Sequence, residues 1–184
     1  DQQVKDILPN LRVVYRAMPN DKTRLVRLSQ EMDLVVGMTG DGINDSPSLK
    51  LADVGFAMGG GTDIAKSAAD IVILDDSFLA ISKTVLYGRT IFKSIRKFIT
   101  FQLTMNLAAC GVSLFGQFIG IETPITIIQM LWVNIIMDTL GGLAFAGEPP
   151  LDYFMRENTI SRNEQILSRE MINQIACTGL YTLL

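Results

Sequence analysis

The run FITFQLTMNLAACGVSLFGQFIGI, residues 98–121, is 24 residues without a formal charge, and nothing else in the chain restricts its folding so strongly. As a helix it would be about 36 Å long at 1.5 Å per residue, enough to cross a hydrocarbon layer of about 30 Å. After Glu122 and a break at Pro124, ITIIQMLWVNIIMDTLGGLAFAG (125–147) forms a second such run, interrupted only by Asp138. A carboxylate at bilayer depth costs at least about 2.5 kcal/mol on insertion scales, so it is kept for a pairing or a function. The two runs predict a transmembrane hairpin, and Asp138 marks where its chemistry lies.

Charge placement orients the hairpin. Lys83, Arg89, Lys93, Arg96 and Lys97 precede the first run, Arg156, Arg162 and Arg169 follow the second, and no Lys or Arg stands between them. Both flanks are therefore expected on the cytoplasmic side. The apolar MINQIACTGLYTLL (171–184) reads as the start of a further span. The chain opens on Asp1 with no initiator Met or signal peptide, so it is expected to be a piece of something larger.

The residues narrow the chemistry. With no His, histidine general-base mechanisms and histidine-bearing zinc sites are excluded within this chain. Cys110 and Cys177 stand far apart in apolar runs, without metal or redox spacing, and are expected to be small core residues. A net charge of −3 and the absence of a basic patch with interleaved aromatics argue against a nucleic-acid partner.

The first 97 residues have a different character. LRVVYRA (11–17) reads as a strand, and DKTRLVRLSQEM (21–32) as a helix capped by Asn20 or Asp21. Strand DLVVGMTG (33–40), helix NDSPSLKLAD (44–53), strand VGFAM (54–58), helix GTDIAKSAAD (61–70) and strand IVIL (71–74) follow. This alternation predicts a parallel α/β sheet with ligands outside the carboxyl ends of its strands.

TGDGINDSP (39–47) occupies such a position. Gly40 and Gly42 permit a tight turn, and Asp41, Asn44 and Asp45 bring oxygen groups to the start of a helix, a set that suits Mg²⁺ beside a phosphate. Turns of every kind use Gly and Asp, so the stretch alone leaves a plain turn and a metal–phosphate loop both open.

Three stretches together resolve this. TGDGINDSP with Lys22 upstream, VGFAMGGGTDIAKSAADIVILDD (54–76), and MLWVNIIMDTLGGLAFAGEPP (130–150) resemble, in order, the P-type ATPases, and among them the plasma-membrane type of calcium pump. The resemblance implies a haloacid-dehalogenase-like, Rossmann-like partial domain joined by a long helix to a transmembrane hairpin. On that reading 1–76 is the later part of the phosphorylation domain, 77–97 a stalk helix, 98–121 and 125–147 the fifth and sixth membrane helices, 148–170 a cytoplasmic loop, and 171–184 the start of the seventh.

The resemblance also implies site residues. Asp41 helps hold Mg²⁺, Asn44 and Asp45 complete the acidic site with Gly40 and Gly42 in its loop, and Lys22 contacts the phosphoryl group. A metal and a fixed ammonium would offset the charge repulsion that limits phosphoryl transfer to a carboxylate. The family's phosphorylated aspartate lies in Asp-Lys-Thr-Gly-Thr; here Thr23 is followed by Arg24 and Leu25, so Asp21 is read as a helix cap. The phosphorylated residue and most ATP-binding segments are expected outside this chain, which alone should not hydrolyse ATP.

In the membrane, Asn134 and Asp138 are four apart on one helix face, and Gln102, Asn106, Ser113 and Gln117 fall within an arc of about 60° on the other span. Interhelical hydrogen bonding is the reading for Gln102, Ser113 and Gln117, and cation binding for Asn134 and Asp138. Asn106 matches the fifth-helix asparagine of calcium pumps and is a further candidate ligand. Gly141 and Gly142 would let the helix loosen and turn carbonyls toward an ion. Ca²⁺ is the implied transported ion, the lipid bilayer and the pump's remaining domains the implied partners, and the plasma membrane the implied location; no regulatory protein is singled out. Two rivals are a membrane-anchored phosphatase of the haloacid-dehalogenase type, which would not need Asn134 and Asp138, and a non-catalytic regulator derived from a pump.

Overall fold

The computed structural model describes residues 1–121 and 124–183, so Glu122, the lone acid between the two apolar runs, lies outside the described residues. The chain divides into two compact units. The first contains Asp1–Val85 and Thr159–Glu164, the second Leu86–Asn158 and Gln165–Leu184.

The first unit opens with a short helix, α1 (Gln2–Ile7), followed by α2 (Pro19–Gln30). Strand β1 (Gly37–Gly40), helix α3 (Ser46–Leu51), strand β2 (Val54–Met58), helix α4 (Asp63–Ala68) and strand β3 (Ile71–Ile73) then alternate. The strands form one parallel sheet in the order β1-β2-β3, Gly37 aligned with Val54 and Phe56 with Ile71. Each connection is a helical crossover, as parallel pairing requires. Phe56, Ile73 and Ile81 make the buried core, with Val54, Met58 and Ile71 packed against it.

Three local expectations are corrected. Residues 11–17 form no strand: Val13 and Tyr15 are exposed, no ladder partner lies beside them among the described residues, and Arg16 has φ 55°, which breaks an extended run. Without a partner to pack against, β-branched residues have little intrinsic preference to express. Helix α2 starts at Pro19, whose fixed φ suits the first helical position, so Met18 is its N-cap. Asp21 sits inside the first turn and its carboxylate accepts the Met18 N–H at 2.9 Å, half of a capping box. Strand β1 begins only at Gly37 because Asp53 takes up Val36 instead: the Val36 N–H donates to Asp53 Oδ2 at 2.8 Å. The other Asp53 oxygen accepts from Arg162 at 2.5 Å, which ties residues 159–164 to this unit.

Helix α5 (Phe78–Phe118) runs for 41 residues without interruption. It is followed by α6 (Ile127–Ile136), a π-helical segment at Met137–Gly141, and α7 (Gly142–Ala146). By length and composition, Phe78–Phe118 and the 20 residues Ile127–Ala146 are each apolar enough to cross a membrane. In the second unit Phe145 packs against Phe98 and Phe101, with ring centroids 6.3 and 6.0 Å away. Helix α8 (Arg169–Leu183) approaches α5 at glycines: a Cβ on Gly179 would stand 2.9 Å from Leu107, and one on Gly111 2.5 Å from Leu183. Cys110 and Cys177 are both exposed on their helices, against the expectation of core positions; small size does not bury a residue on an apolar helix facing outward.

The basic flank before the hairpin is largely partnered. Lys97 pairs with Glu148 at 2.6 Å and Lys93 with Glu157 at 2.5 Å, while Arg89 donates to the Phe154 and Glu157 carbonyls. These basic side chains fasten the 148–157 segment to α5.

Candidate functional site

The loop leaving β1 carries the acidic residues, as the carboxyl end of a parallel strand should. Asp45 is buried, and Lys22 reaches it from α2: the ammonium donates to Asp45 Oδ1 at 2.5 Å, with the lysine side chain 38% exposed and the carboxylate 11%. Asp45 Oδ2 accepts the Gly42 N–H at 3.4 Å, closing the loop on itself. The structure thus joins Lys22 and Asp45, both expected at the site, in one ion pair.

Gly40 is required by that pair. A Cβ at position 40 would stand 2.5 Å from Asp45 Cβ, so any side chain there would expel the carboxylate. The reason is close approach and not backbone freedom, since neither Gly40 nor Gly42 has a positive φ. The chain does turn tightly after them, the Asp45 N–H donating to the Gly42 carbonyl at 3.1 Å, without left-handed backbone at either glycine.

Asp41 is exposed and its carboxylate has no protein partner among the described residues. Its backbone is held instead: the Asp41 carbonyl accepts the Thr62 N–H at 2.8 Å. Asn44, in the single 3₁₀ turn Ile43–Asp45, is also exposed. Of the two serines that follow, Ser48 donates to the Asp45 carbonyl at 2.9 Å, whereas Ser46 Oγ is buried without a partner among the described residues.

The site therefore presents one free carboxylate, one amide and one ammonium held by a second carboxylate. Among the described residues no three His, Cys, Asp or Glu side chains converge. This donor set fits Mg²⁺, which is bound through one or two carboxylates and fills its remaining positions with water and phosphate oxygens.

In the second unit Asp138 lies exposed within the π segment, and Asn134 is half-buried one turn earlier in α6. A π turn replaces the i→i+4 hydrogen bonds by i→i+5 ones and is frequent at functional sites. The loosening expected near Gly141 and Gly142 takes the form of this segment, which includes Asp138 and runs up to Gly141. Gly141 lets the helices approach, since a Cβ there would stand 3.3 Å from Phe101. Asn106 is half-buried on α5, and no direct bond joins it to Asn134 or Asp138 among the described residues. Gln102 Oε1 is buried without a hydrogen-bond partner among the described residues, so the interhelical bond expected of it is not made. Sequence reasoning attached no role to GGGT (59–62), although three consecutive glycines directly after a strand were a visible signal of close backbone approach.

Comparison with known proteins supplies an independent line. The family described as cation transporting ATPase, C-terminus, matches residues 122–184, and the haloacid dehalogenase-like hydrolases match residues 28–85. The chain is 46% identical over 188 aligned residues to plasma membrane calcium-transporting ATPase 1 of Mus musculus, covering 99% of this chain and 15% of that protein. It is 45% identical to plasma membrane calcium-transporting ATPase 4 of Bos taurus, covering 99% and 16%. The crystal structure of a zinc-transporting PIB-type ATPase in the E2.Pi state is similar with a TM-score of 0.52 and 29% identity, over 71% of this chain and 20% of that one. The chain thus spans less than a fifth of the length of the curated relatives described here.

Proposed function

Because the chain belongs to the P-type ATPases, we propose that it forms part of an ATP-driven pump that exports Ca²⁺ through an aspartyl-phosphate intermediate. The observation that carries the reading is the Lys22–Asp45 pair beside the free Asp41 carboxylate at the end of β1. Asp45 holds the Lys22 ammonium in place, and the part of Lys22 left accessible to solvent is available to a phosphoryl oxygen. Asp41 and Asn44 hold Mg²⁺, with Gly40 and Gly42 keeping the loop close to Asp45. When bound, Mg²⁺ supplies positive charge beside the transferring oxygens. Fixed charges of this kind lower the barrier without reorganising during the reaction. The phosphorylated aspartate and most of the ATP-binding surface are assigned to other segments of the pump.

Asp138 and Asn134 supply oxygen ligands to the transported cation, with Asn106 as a further one. The π segment supports this assignment, since π turns are frequent at functional sites and this one bears the carboxylate. Helix α5 contributes Ile81 to the core of the first unit and Asn106 to the second. Phosphorylation would shift the balance of two ion-site states through it. The pump resides in the plasma membrane with the first unit cytoplasmic, and its partners are the lipid bilayer and its own remaining domains.

Asp41→Ala in the full-length protein tests the reading. Mg²⁺-dependent phosphoenzyme should be lost while the sheet stays folded, because the change removes an exposed ligand and no core group. Normal phosphoenzyme levels would overturn the assignment.

A further inference from the structure

We propose that Gly61 and the backbone N–H of Thr62 are positioning residues for Asp41, fixing the direction in which its carboxylate meets the metal. The inference rests on the reading of Asp41 as a metal ligand and deepens it.

The turn after β2 contains three glycines, and each meets a different neighbour. A Cβ on Gly61 would lie 2.9 Å from the Asp41 carbonyl oxygen, 3.1 Å from Asp41 Cα and 3.0 Å from the Met58 carbonyl oxygen. All three are backbone atoms, so they cannot swing aside as a side-chain tip would. The next residue completes the contact, with the Thr62 N–H donating to the Asp41 carbonyl at 2.8 Å. Thr62 is in turn fixed as the N-cap of α4, its hydroxyl accepting the Ala65 N–H at 3.3 Å. Asp41 itself lies outside any helix or strand, and its side chain has no protein partner among the described residues. The Gly61–Thr62 contact is thus what holds its backbone from the direction of β2.

Gly60 provides an internal control. A Cβ there would lie 2.9 Å from Asp76 Oδ2, the end of a flexible carboxylate. That carboxylate accepts the Gly60 N–H with both oxygens at 3.1 Å, so Gly60→Ala would disturb this exposed contact but meets no atom of Asp41, which should stay where it is.

The Thr62 hydrogen bond can be removed by proline. Thr62 has φ −68° and ψ 151°, a conformation proline adopts, so Thr62→Pro removes the N–H without straining φ and sets its ring Cδ against the Asp41 carbonyl oxygen, which lies only 2.8 Å from the nitrogen. It also deletes the hydroxyl cap, and Thr62→Ala, which deletes only the cap, separates the two effects.

The experiment is phosphorylation of the purified full-length pump by inorganic phosphate across a Mg²⁺ titration, with fold checked by limited proteolysis. Thr62→Pro should raise the Mg²⁺ concentration for half-maximal phosphoenzyme at least about fivefold relative to Thr62→Ala, since it loses one net hydrogen bond and also crowds the Asp41 carbonyl. Gly61→Ala should raise it further, and Gly60→Ala should match the parent protein. Folded Thr62→Pro and Gly61→Ala proteins with the parent Mg²⁺ dependence would overturn the inference; if Gly61→Ala does not fold, the Thr62 pair decides alone. Asp41→Asn run alongside separates the two levels. If Asp41→Asn keeps the parent Mg²⁺ dependence, the metal-ligand reading itself fails; if it abolishes the dependence while the Thr62 pair behaves alike, only the positioning role fails.

Discussion

Lys22 and Asp45 stand 23 residues apart in sequence, on either side of β1, and 2.5 Å apart in space. Asp45 also receives the Gly42 N–H, so one buried carboxylate fixes both the lysine and the loop that carries Asp41.

Lys22→Ala is expected to slow phosphoenzyme formation by about a hundredfold, the usual effect of losing one preorganised group at a transferring charge. Asp45→Asn should slow it less, about tenfold, because the ammonium remains but is held more loosely, and should lower stability by about 1–2 kcal/mol as a charged hydrogen bond is lost. Rapid-quench phosphorylation and denaturant unfolding of the full-length protein measure the two effects. Equal rates in both variants would show that Asp45 contributes chemistry of its own.

Asp21 behaves differently although it lies in a DKT string. Its carboxylate accepts the Met18 N–H, which an asparagine oxygen can also do. Asp21→Asn should therefore phosphorylate at the parent rate, and Asp21→Ala should cost about 1 kcal/mol of stability through the lost helix-start hydrogen bond. Loss of phosphoenzyme in Asp21→Asn would contradict its role as a helix-start group.

Asp138→Asn should abolish Ca²⁺ activation of phosphorylation from ATP while phosphorylation by inorganic phosphate persists, since the phosphate-site residues are untouched. Asn134→Ala, which removes one neutral oxygen, should weaken apparent Ca²⁺ affinity by about tenfold, the effect of a charge-assisted contact. Vesicle uptake and the two phosphorylation assays check both. Transport at the parent rate by Asp138→Asn would make its carboxylate a structural group.

One Ca²⁺ per phosphorylation site is the expected stoichiometry. Ca²⁺ takes six to eight oxygens, and a second ion would need its own carboxylate on the first span, where Ala109 stands three positions after Asn106. Uncompensated, it would be costly in a low-dielectric site. Equilibrium binding of radiolabelled calcium to the full-length protein, normalised to phosphoenzyme, decides it, and two ions per site would require an acid from another membrane helix.

The sheet was legible wherever a strand had a neighbour. VGFAM matches β2 residue for residue because β2 is paired on both sides, whereas the equally β-branched LRVVYRA has no ladder to join. The candidate site residues came from the family resemblance together with the oxygen groups of the loop, and the pairing among them came from neither. Nothing in the sequence separates Asp45, which is neutralised by Lys22, from Asp41, which stays free, because that depends on how α2 lies over the loop. The Gly61 contact was hidden for the same reason: glycine runs signal close approach without naming the neighbour.

The π segment at Met137–Gly141 has a geometric consequence beyond the carboxylate it carries. A helix that accommodates one extra residue in a turn loses rotational phase, and everything after it is displaced by about 100° relative to a continuous α-helix. Phe145 reaches Phe98 and Phe101 with that offset included. Restoring α geometry through the segment without a deletion would swing Phe145 about 100° off its partners, whereas deleting one residue along with the π turn would leave it on them, so the aromatic seam depends on the turn absorbing a single residue.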